Sequence, residues 1–334
     1  MLSRRDFLIN GSALVATALG APSVLGASLP GTGITVTPTG TSTPTTRFQS
    51  LVVELGLQRL GYTVKDYVPA DPAIFHMAIA SGDATFSAVE WVPLYDDYYS
   101  KVGGDTTCVR MGSLINDCIF GYSIDKKTAD KYQITNLAQF KDEKIAKLFN
   151  TNGMDRKASL VAGNPGWGAA KMMQHHLELY GLKNSIQLQF GNYDALMADV
   201  LTRIKSNQPV FYYSWLPNWI SNVLKPGVDV SWLSVPFADP ANGKNMSKLP
   251  DGRDTGFPVY TVKVLGNKGF IDKNPAAKKL FEVANISTAD ISAENMLMQQ
   301  GQNKPVDIRR RAEDWVKAHQ SQFDQWIAQA MQAA

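Results

Sequence analysis

The sequence predicts an α/β protein with two lobes, each a mostly parallel sheet flanked by helices, and a site in the cleft between them. Strand-like and helix-like patterns alternate along most of the chain. A chain of 334 residues has room for two domains, and 44% hydrophobic with 19% charged residues is ordinary for a globular protein. The two halves also share a local pattern, because an apolar strand pattern ends in Trp-x-Pro at Trp91 and again at Trp215.

The N-terminus has the pattern of an export signal. Adjacent Arg4 and Arg5 precede an apolar run over 13–19, which is too short to span a bilayer and is followed by small residues. We therefore expect residues 1–27 to be a twin-arginine signal peptide that is cleaved near Ala27. A Sec signal that happens to contain Arg-Arg is the alternative. Both routes predict a mature protein in the periplasm.

The first lobe is expected to comprise residues 28–125 and 250–334. Its pattern alternates strand and helix, which favours a largely parallel sheet, and the C-terminal helices should cover it. Trp315 and Trp326 fall on the apolar stripe of the last helical stretch, so both are expected in the core. The predicted elements are strands at 34–37, 62–64, 84–91, 113–123 and 259–265 and helices at 48–60 and 71–79.

The second lobe is expected to comprise residues 126–249. A helix is expected directly after Asn164, followed by a strand at 186–190, a helix at 193–205 and a strand at 210–213 that leads into Trp215. In open α/β sheets, ligands bind at the carboxyl ends of strands. The occurrence of Trp-x-Pro in both lobes therefore predicts that the two indoles face one cleft.

The stretch from Asn164 to Ala169 is the strongest local signal of a site. Asn164 is expected to cap the helix, and the glycines let a ligand approach backbone amides beside the Trp167 indole. The free N–H groups of Gly168 and Ala169 suit a carboxylate, because they lie at the positive end of a helix. An indole face suits a cation that has no proton to donate. The combination predicts a small zwitterion with a quaternary ammonium group.

Three tryptophans are the candidates for an aromatic cage. Trp91, Trp167 and Trp215 follow strand ends or helix starts and have Gly or Pro neighbours. Trp219 and Trp232 lack that context and are not assigned to the cage.

Several motifs together resemble one family, the periplasmic glycine betaine/proline betaine-binding proteins of ABC importers, known as ProX-like. They are Gly31-x-Gly33-Ile34-Thr35-Val36, Ser81-Gly82-Asp83-Ala84-Thr85-Phe86, Asn164-Pro165-Gly166-Trp167-Gly168, Pro209-Val210-Phe211-Tyr212-Tyr213-x-Trp215-x-Pro217 and Gly256-Phe257-Pro258-Val259. The resemblance covers essentially the whole mature chain. It implies a two-lobed solute-binding fold that closes on its ligand and docks onto a membrane permease for osmoprotection.

The resemblance also assigns roles to individual residues. Trp91, Trp167 and Trp215 match the family's cage for the quaternary ammonium group, and the amides of Gly168 and Ala169 match its carboxylate contacts. The family has a histidine where this chain has Tyr95, whose hydroxyl is also a donor and is expected to take over the carboxylate contact. The family's local disulfide is absent, because Gly163 and Ala169 stand at the positions of its two cysteines.

Other classes of function are less well supported. The formal net charge of +3 is close to balance, which argues against a nucleic-acid partner. No catalytic, metal or cofactor motif stands out, so we expect a monomeric binding protein without a cofactor rather than an enzyme. Because of Tyr95, choline, carnitine or dimethylsulfoniopropionate remains an alternative ligand. Cys108 and Cys118 are the only cysteines, and a disulfide that staples a hairpin is expected between them.

Overall fold

The structure, a computed structural model, describes residues 28–151, 153, 156–240 and 246–334. The expected signal peptide, with Arg4, Arg5 and the cleavage site at Ala27, lies outside the described residues. The strands are β1 (Thr35–Val36), β2 (Pro38–Gly40), β3 (Thr63–Val64), β4 (Val68–Pro69), β5 (Phe86–Val92), β6 (Cys108–Asp125), β7 (Ala158–Gly163), β8 (Ile186–Phe190), β9 (Phe211–Leu216), β10 (Val230–Leu233), β11 (Met246–Lys248), β12 (Asp254–Pro258) and β13 (Tyr260–Asn267).

Helices cover the strands on both sides and at the C-terminus. Among the described residues, none of these helices is both long enough and apolar enough to cross a bilayer. They are α1 (Pro44–Arg59), α2 (Pro72–Ser81), α3 (Asp96–Lys101), α4 (Lys126–Tyr132), α5 (Glu143–Leu148), α6 (Gly168–Leu179), α7 (Tyr193–Lys205), α8 (Trp219–Val223), α9 (Lys268–Ile271), α10 (Pro275–Val283), α11 (Thr288–Gln299), α12 (Pro305–Ala318) and α13 (Gln320–Gln332).

The main sheet confirms the predicted α/β class. Its strands are arranged in the order β4-β2-β5-β13-β6-β9-β7-β8, and β10 also pairs with β6. The outer pairs are parallel on both sides, β2 with β4 and β5, and β7 with β8 and β9. The centre is antiparallel, because β13 and β6 run against each other and against their outer neighbours. The parallel character predicted for each lobe therefore holds only in the outer strands.

The long strand β6 connects the two halves of the sheet. Its first part, from Cys108 to Cys118, pairs with β13, and its second part, from Ile119 onward, pairs with β9. An 18-residue strand can do this because each part contributes its own row of backbone hydrogen bonds to a different neighbour. The lobe boundaries predicted near residues 125 and 250 stay a prediction.

The C-terminal helices α12 and α13 pack onto α1 and α10, which in turn pack against β5 and β6. Trp315 is 8% and Trp326 is 3% exposed, as expected for the apolar stripe, and their rings stack with centroids 6.0 Å apart. The preceding helix α11 reaches across to the other half, where the Asn222 side-chain amide donates to the Ser292 carbonyl at 2.8 Å. This contact brings α11 over the cleft.

Candidate functional site

A cavity of about 370 Å³ lies between the two halves of the sheet. It is lined by all six residues that are predicted from the sequence to contact the ligand, namely Trp91, Tyr95, Trp167, Gly168, Ala169 and Trp215. Most of the remaining lining is aromatic, aliphatic or uncharged and polar. The cavity thus joins residues that are far apart in sequence, which is typical of a small-molecule site between two domains.

Two walls of the cavity come from equivalent positions in the two halves. Trp91 lies at the end of β5 and Trp215 at the end of β9, each followed two residues later by a proline with a cis peptide bond, Pro93 and Pro217. The two strands run in opposite directions, because three antiparallel pairings separate them: β5 with β13, β13 with β6 and β6 with β9. Their carboxyl ends therefore point toward each other from the two halves and meet beside the middle of β6, around residues 115–120. The predicted placement of the two indoles at one cleft is therefore what the fold contains.

The third wall is Trp167, which meets Trp215 edge to face with ring centroids 5.7 Å apart and an angle of 86°. Gly163 explains how the indole fits. This glycine has a φ of +82°, and a Cβ there would lie 2.9 Å from the Trp167 ring and 3.2 Å from the ring of Tyr193. The absence of a side chain at Gly163 thus provides the space in which the Trp167 indole packs.

Four further aromatic residues line the cavity and were not assigned to it from the sequence. They are Phe120, Tyr193, Tyr213 and Trp219. Tyr193 packs 4.9 Å from Trp215, and its hydroxyl donates to the Tyr213 carbonyl at 3.0 Å. Trp219 comes directly after the Trp215-Leu216-Pro217-Asn218 segment, a position close enough in sequence to have suggested a shared site.

Helix α6 begins later than predicted. Its first residue is Gly168 and its N-cap is Trp167, so the prediction that Asn164 caps the helix is wrong. Asn164 instead closes a tight turn, in which its side-chain oxygen accepts from the Gly166 N–H at 2.8 Å. The shift leaves Gly168 and Ala169 as the first two residues of the helix, whose N–H groups have no acceptor within the helix. These two N–H groups, which we call the anion seat, are therefore available at the cavity wall to bind a carboxylate, as predicted.

Tyr95, which is expected to take over a carboxylate contact, is 6% exposed. Its ring lies between Phe75, at 6.0 Å, and Tyr98, at 5.8 Å. Burial, and after it the nearby Glu90 carboxylate, raises the pKa of Tyr95 far above its usual value. The phenol consequently stays neutral and keeps its proton to donate across the physiological range of pH.

Among the described lining residues, Asp194 carries the only formal charge. Its carboxylate accepts from the Trp219 indole N–H at 3.0 Å, which holds it beside the aromatic walls. A single negative charge at the margin of the cavity favours a ligand with a cationic group.

The expected disulfide between Cys108 and Cys118 is wrong. Both thiols are free and buried, and both residues lie on the single strand β6. Cys108 is opposite Asn267 and Cys118 is opposite Tyr260 on β13. The two partner positions are seven residues apart on β13, and at about 3.3 Å per residue this places the two cysteine Cα atoms about 23 Å apart. A disulfide needs Cα atoms within about 7 Å of each other.

Comparison with known proteins agrees with this geometry. The family model described as the substrate binding domain of an ABC-type glycine betaine transport system matches residues 34–318. The chain belongs to this family. Two of its members are the glycine betaine/proline betaine-binding periplasmic proteins of Escherichia coli strain K12 and Salmonella typhimurium. The first is 49% identical over 92% of this chain and 93% of its own length, and the second is 46% identical over 93% and 94%.

Solved structures with the same fold are more distant in sequence. The closed, glycine betaine-bound lactococcal OpuAC matches 88% of this chain and 99% of its own with a TM-score of 0.67 at 19% identity. A choline-binding protein of an ABC transporter in complex with choline matches 90% of this chain and 96% of its own with a TM-score of 0.69 at 14% identity. At these identities the likeness confirms the two-lobed solute-binding fold of the glycine betaine family.

Proposed function

We propose that this protein captures glycine betaine or proline betaine in the periplasm and delivers it, as a monomer, to the membrane permease of an ABC importer. The observation that carries the proposal is that Trp91, Trp167 and Trp215 line one cavity, beside the first amides of α6. Membership of the glycine betaine transport family supports transport as the role, and relatives at 46% and 49% identity that are named for both betaines support the ligand class.

The chemistry of a betaine matches the two ends of the site. A trimethylammonium group has no proton to donate, so it is selected by π-faces, each of which contributes on the order of 0.5 to 2 kcal/mol when water is excluded. The carboxylate would accept from the Gly168 and Ala169 N–H groups at the positive end of α6 and from the Tyr95 hydroxyl. No ion pair is needed, because the ligand carries both charges itself.

Closure of the cleft would couple binding to transport. Trp91 and Tyr95 lie on one half of the sheet, whereas Trp167 and Trp215 lie on the other. The complete set of contacts therefore forms only when the halves meet, and a ligand that binds the closed form better shifts the protein toward it. A permease would recognise this closed form.

Calorimetric titration of the protein from Ser28 onward with glycine betaine, proline betaine and choline tests the proposal. We expect saturable one-to-one binding of the betaines and much weaker binding of choline, which lacks the carboxylate. Binding of choline in preference to betaine would show that the α6 amides are unused and would favour the alternative ligands. Recovery of the ligand chemically unchanged after long incubation separates a receptor from an enzyme.

A further inference from the structure

We propose that Tyr98 is a positioning residue for ligand capture, which clamps the 164–168 loop of one half of the protein to the rim of the other. The inference rests on the proposed betaine-binding function. Tyr98 lies on the short helix α3, which begins directly after Tyr95. It is not among the residues that line the cavity. Its effect on the ligand would pass through the loop that precedes Trp167.

On its own side of the cleft, the Tyr98 ring is fixed by other rings. Its centroid is 5.8 Å from Tyr95, at an angle of 70°, and 5.8 Å from His76 on α2. His76 is fully buried, and its imidazole lies 2.9 Å from the buried carboxylate of Glu90, the residue before Trp91. The base of Tyr98 is therefore part of the same packed wall that carries Trp91 and Tyr95.

On the other side, the Tyr98 hydroxyl reaches the loop that carries the anion seat. It donates to the Gly166 carbonyl at 3.3 Å. The N–H of Gly166 is held by the Asn164 side chain, so both polar groups of this residue have partners. Because Trp167 and Gly168 follow directly, this contact fixes the start of α6 relative to the opposite wall.

Lys171 adds a second contact across the cleft. Its ammonium nitrogen lies 5.0 Å from the centroid of the Tyr98 ring. Lys171 is the fourth residue of α6, where a positive charge is unfavourable because it faces the positive end of the helix dipole. The π-face of Tyr98 compensates for this placement by attracting the cation. Both contacts exist only when the two halves are together.

The Tyr98 clamp therefore predicts a kinetic effect. Opening the cleft must break the hydrogen bond to Gly166 and the contact with Lys171 before the ligand can leave. Loss of the clamp should accelerate dissociation much more than it slows association, because association begins from the open form. A residue that only supported the fold would instead change the stability of the ligand-free protein.

The test is stopped-flow tryptophan fluorescence with glycine betaine on Tyr98→Phe, which removes only the hydroxyl. We expect the dissociation rate to rise about three- to tenfold, the range for one hydrogen bond, with little change in the association rate or in the unfolding temperature of the ligand-free protein. Tyr132→Phe is the matched control, since Lys131 lies 5.1 Å from the Tyr132 ring but away from the cleft. It should behave as wild type.

A double-mutant cycle tests the contact with Lys171. Tyr98→Leu and Lys171→Met should each speed dissociation, and the double variant should be less affected than the product of the two effects, because both changes remove the same contact. Wild-type dissociation rates in Tyr98→Phe, or independent effects in the cycle, would overturn the inference while wild-type betaine binding stands. Absence of betaine binding in the wild type would instead overturn the proposed function.

Discussion

A single methyl group added at Gly168 should weaken betaine binding without damaging the fold. In the structure, a Cβ at this position would lie 2.9 Å from both the carbonyl oxygen and the Cγ atom of Leu94, which belongs to the opposite wall. The Leu94 side chain is able to rotate away, but its carbonyl is fixed in the turn between Trp91 and Tyr95, where the Tyr95 N–H donates to the Trp91 carbonyl at 2.8 Å. The clash therefore falls on the closed arrangement.

The size of the effect follows from the overlap. Overpacking of a tight contact costs about 1 to 3 kcal/mol, which corresponds to roughly a 5- to 150-fold increase in Kd. Calorimetric titration of Gly168→Ala with glycine betaine measures it, and thermal unfolding of the ligand-free variant should remain close to wild type. Gly269→Ala is the control, since this exposed glycine lies at the start of α9, away from the cavity, and the nearest atom to its Cβ would be the Asn267 side-chain oxygen at 3.4 Å. Equal affinity in Gly168→Ala and wild type would refute the close approach of the two walls.

Two further predictions concern charge. Asp194→Asn should weaken choline binding about two- to fivefold, because an exposed charge contributes only about 0.2 to 1 kcal/mol. Glycine betaine binding should weaken less, because the betaine has no net charge. Titrations at low and high salt would measure this contribution, since salt screens the attraction between Asp194 and the ligand. Burial lowers the pKa of His176 to about 4, below its ordinary value of 6.5. The unfolded state then binds more protons than the folded state, so the free energy of unfolding should fall by up to about 3 kcal/mol as pH decreases from 6.5 toward 4. Denaturant titrations across this range should show the loss in wild type and in His175→Gln, and a flat profile in His176→Gln would identify the group.

Features with a local cause were predictable from the sequence. The alternation of strands and helices, the two Trp-x-Pro strand ends and the amides beside Trp167 all depend on short segments. The sequence places Trp91 and Trp215 at strand ends, and these ends meet because β5 and β9 point toward each other from the two halves of the sheet. The predicted start of α6 is wrong by three residues, because the N-cap is Trp167 and not Asn164. Asn164 caps a helix or closes a turn with the same kind of side-chain hydrogen bond, so the residue type alone does not distinguish the two.

Features that depend on contacts distant in sequence were not predictable. The spacing of Cys108 and Cys118 is compatible with a hairpin, and only the pairing of β6 with β13 and β9 shows one continuous strand. Tyr193 and Phe120 enter the cavity because of how the two halves of the sheet meet, and no local pattern marks them. The antiparallel centre of the sheet has the same origin, since β13 comes from the far end of the chain.

Titration of Trp167→Ala with glycine betaine tests the central claim most directly, because Trp167 belongs to the aromatic cage and adjoins the proposed carboxylate seat. Loss of one desolvated aromatic wall should weaken binding by about 2 kcal/mol or more, roughly 30-fold in Kd, while the unfolding temperature of the ligand-free protein stays near wild type. A folded Trp167→Ala variant that binds glycine betaine as tightly as wild type would show that the ligand lies elsewhere.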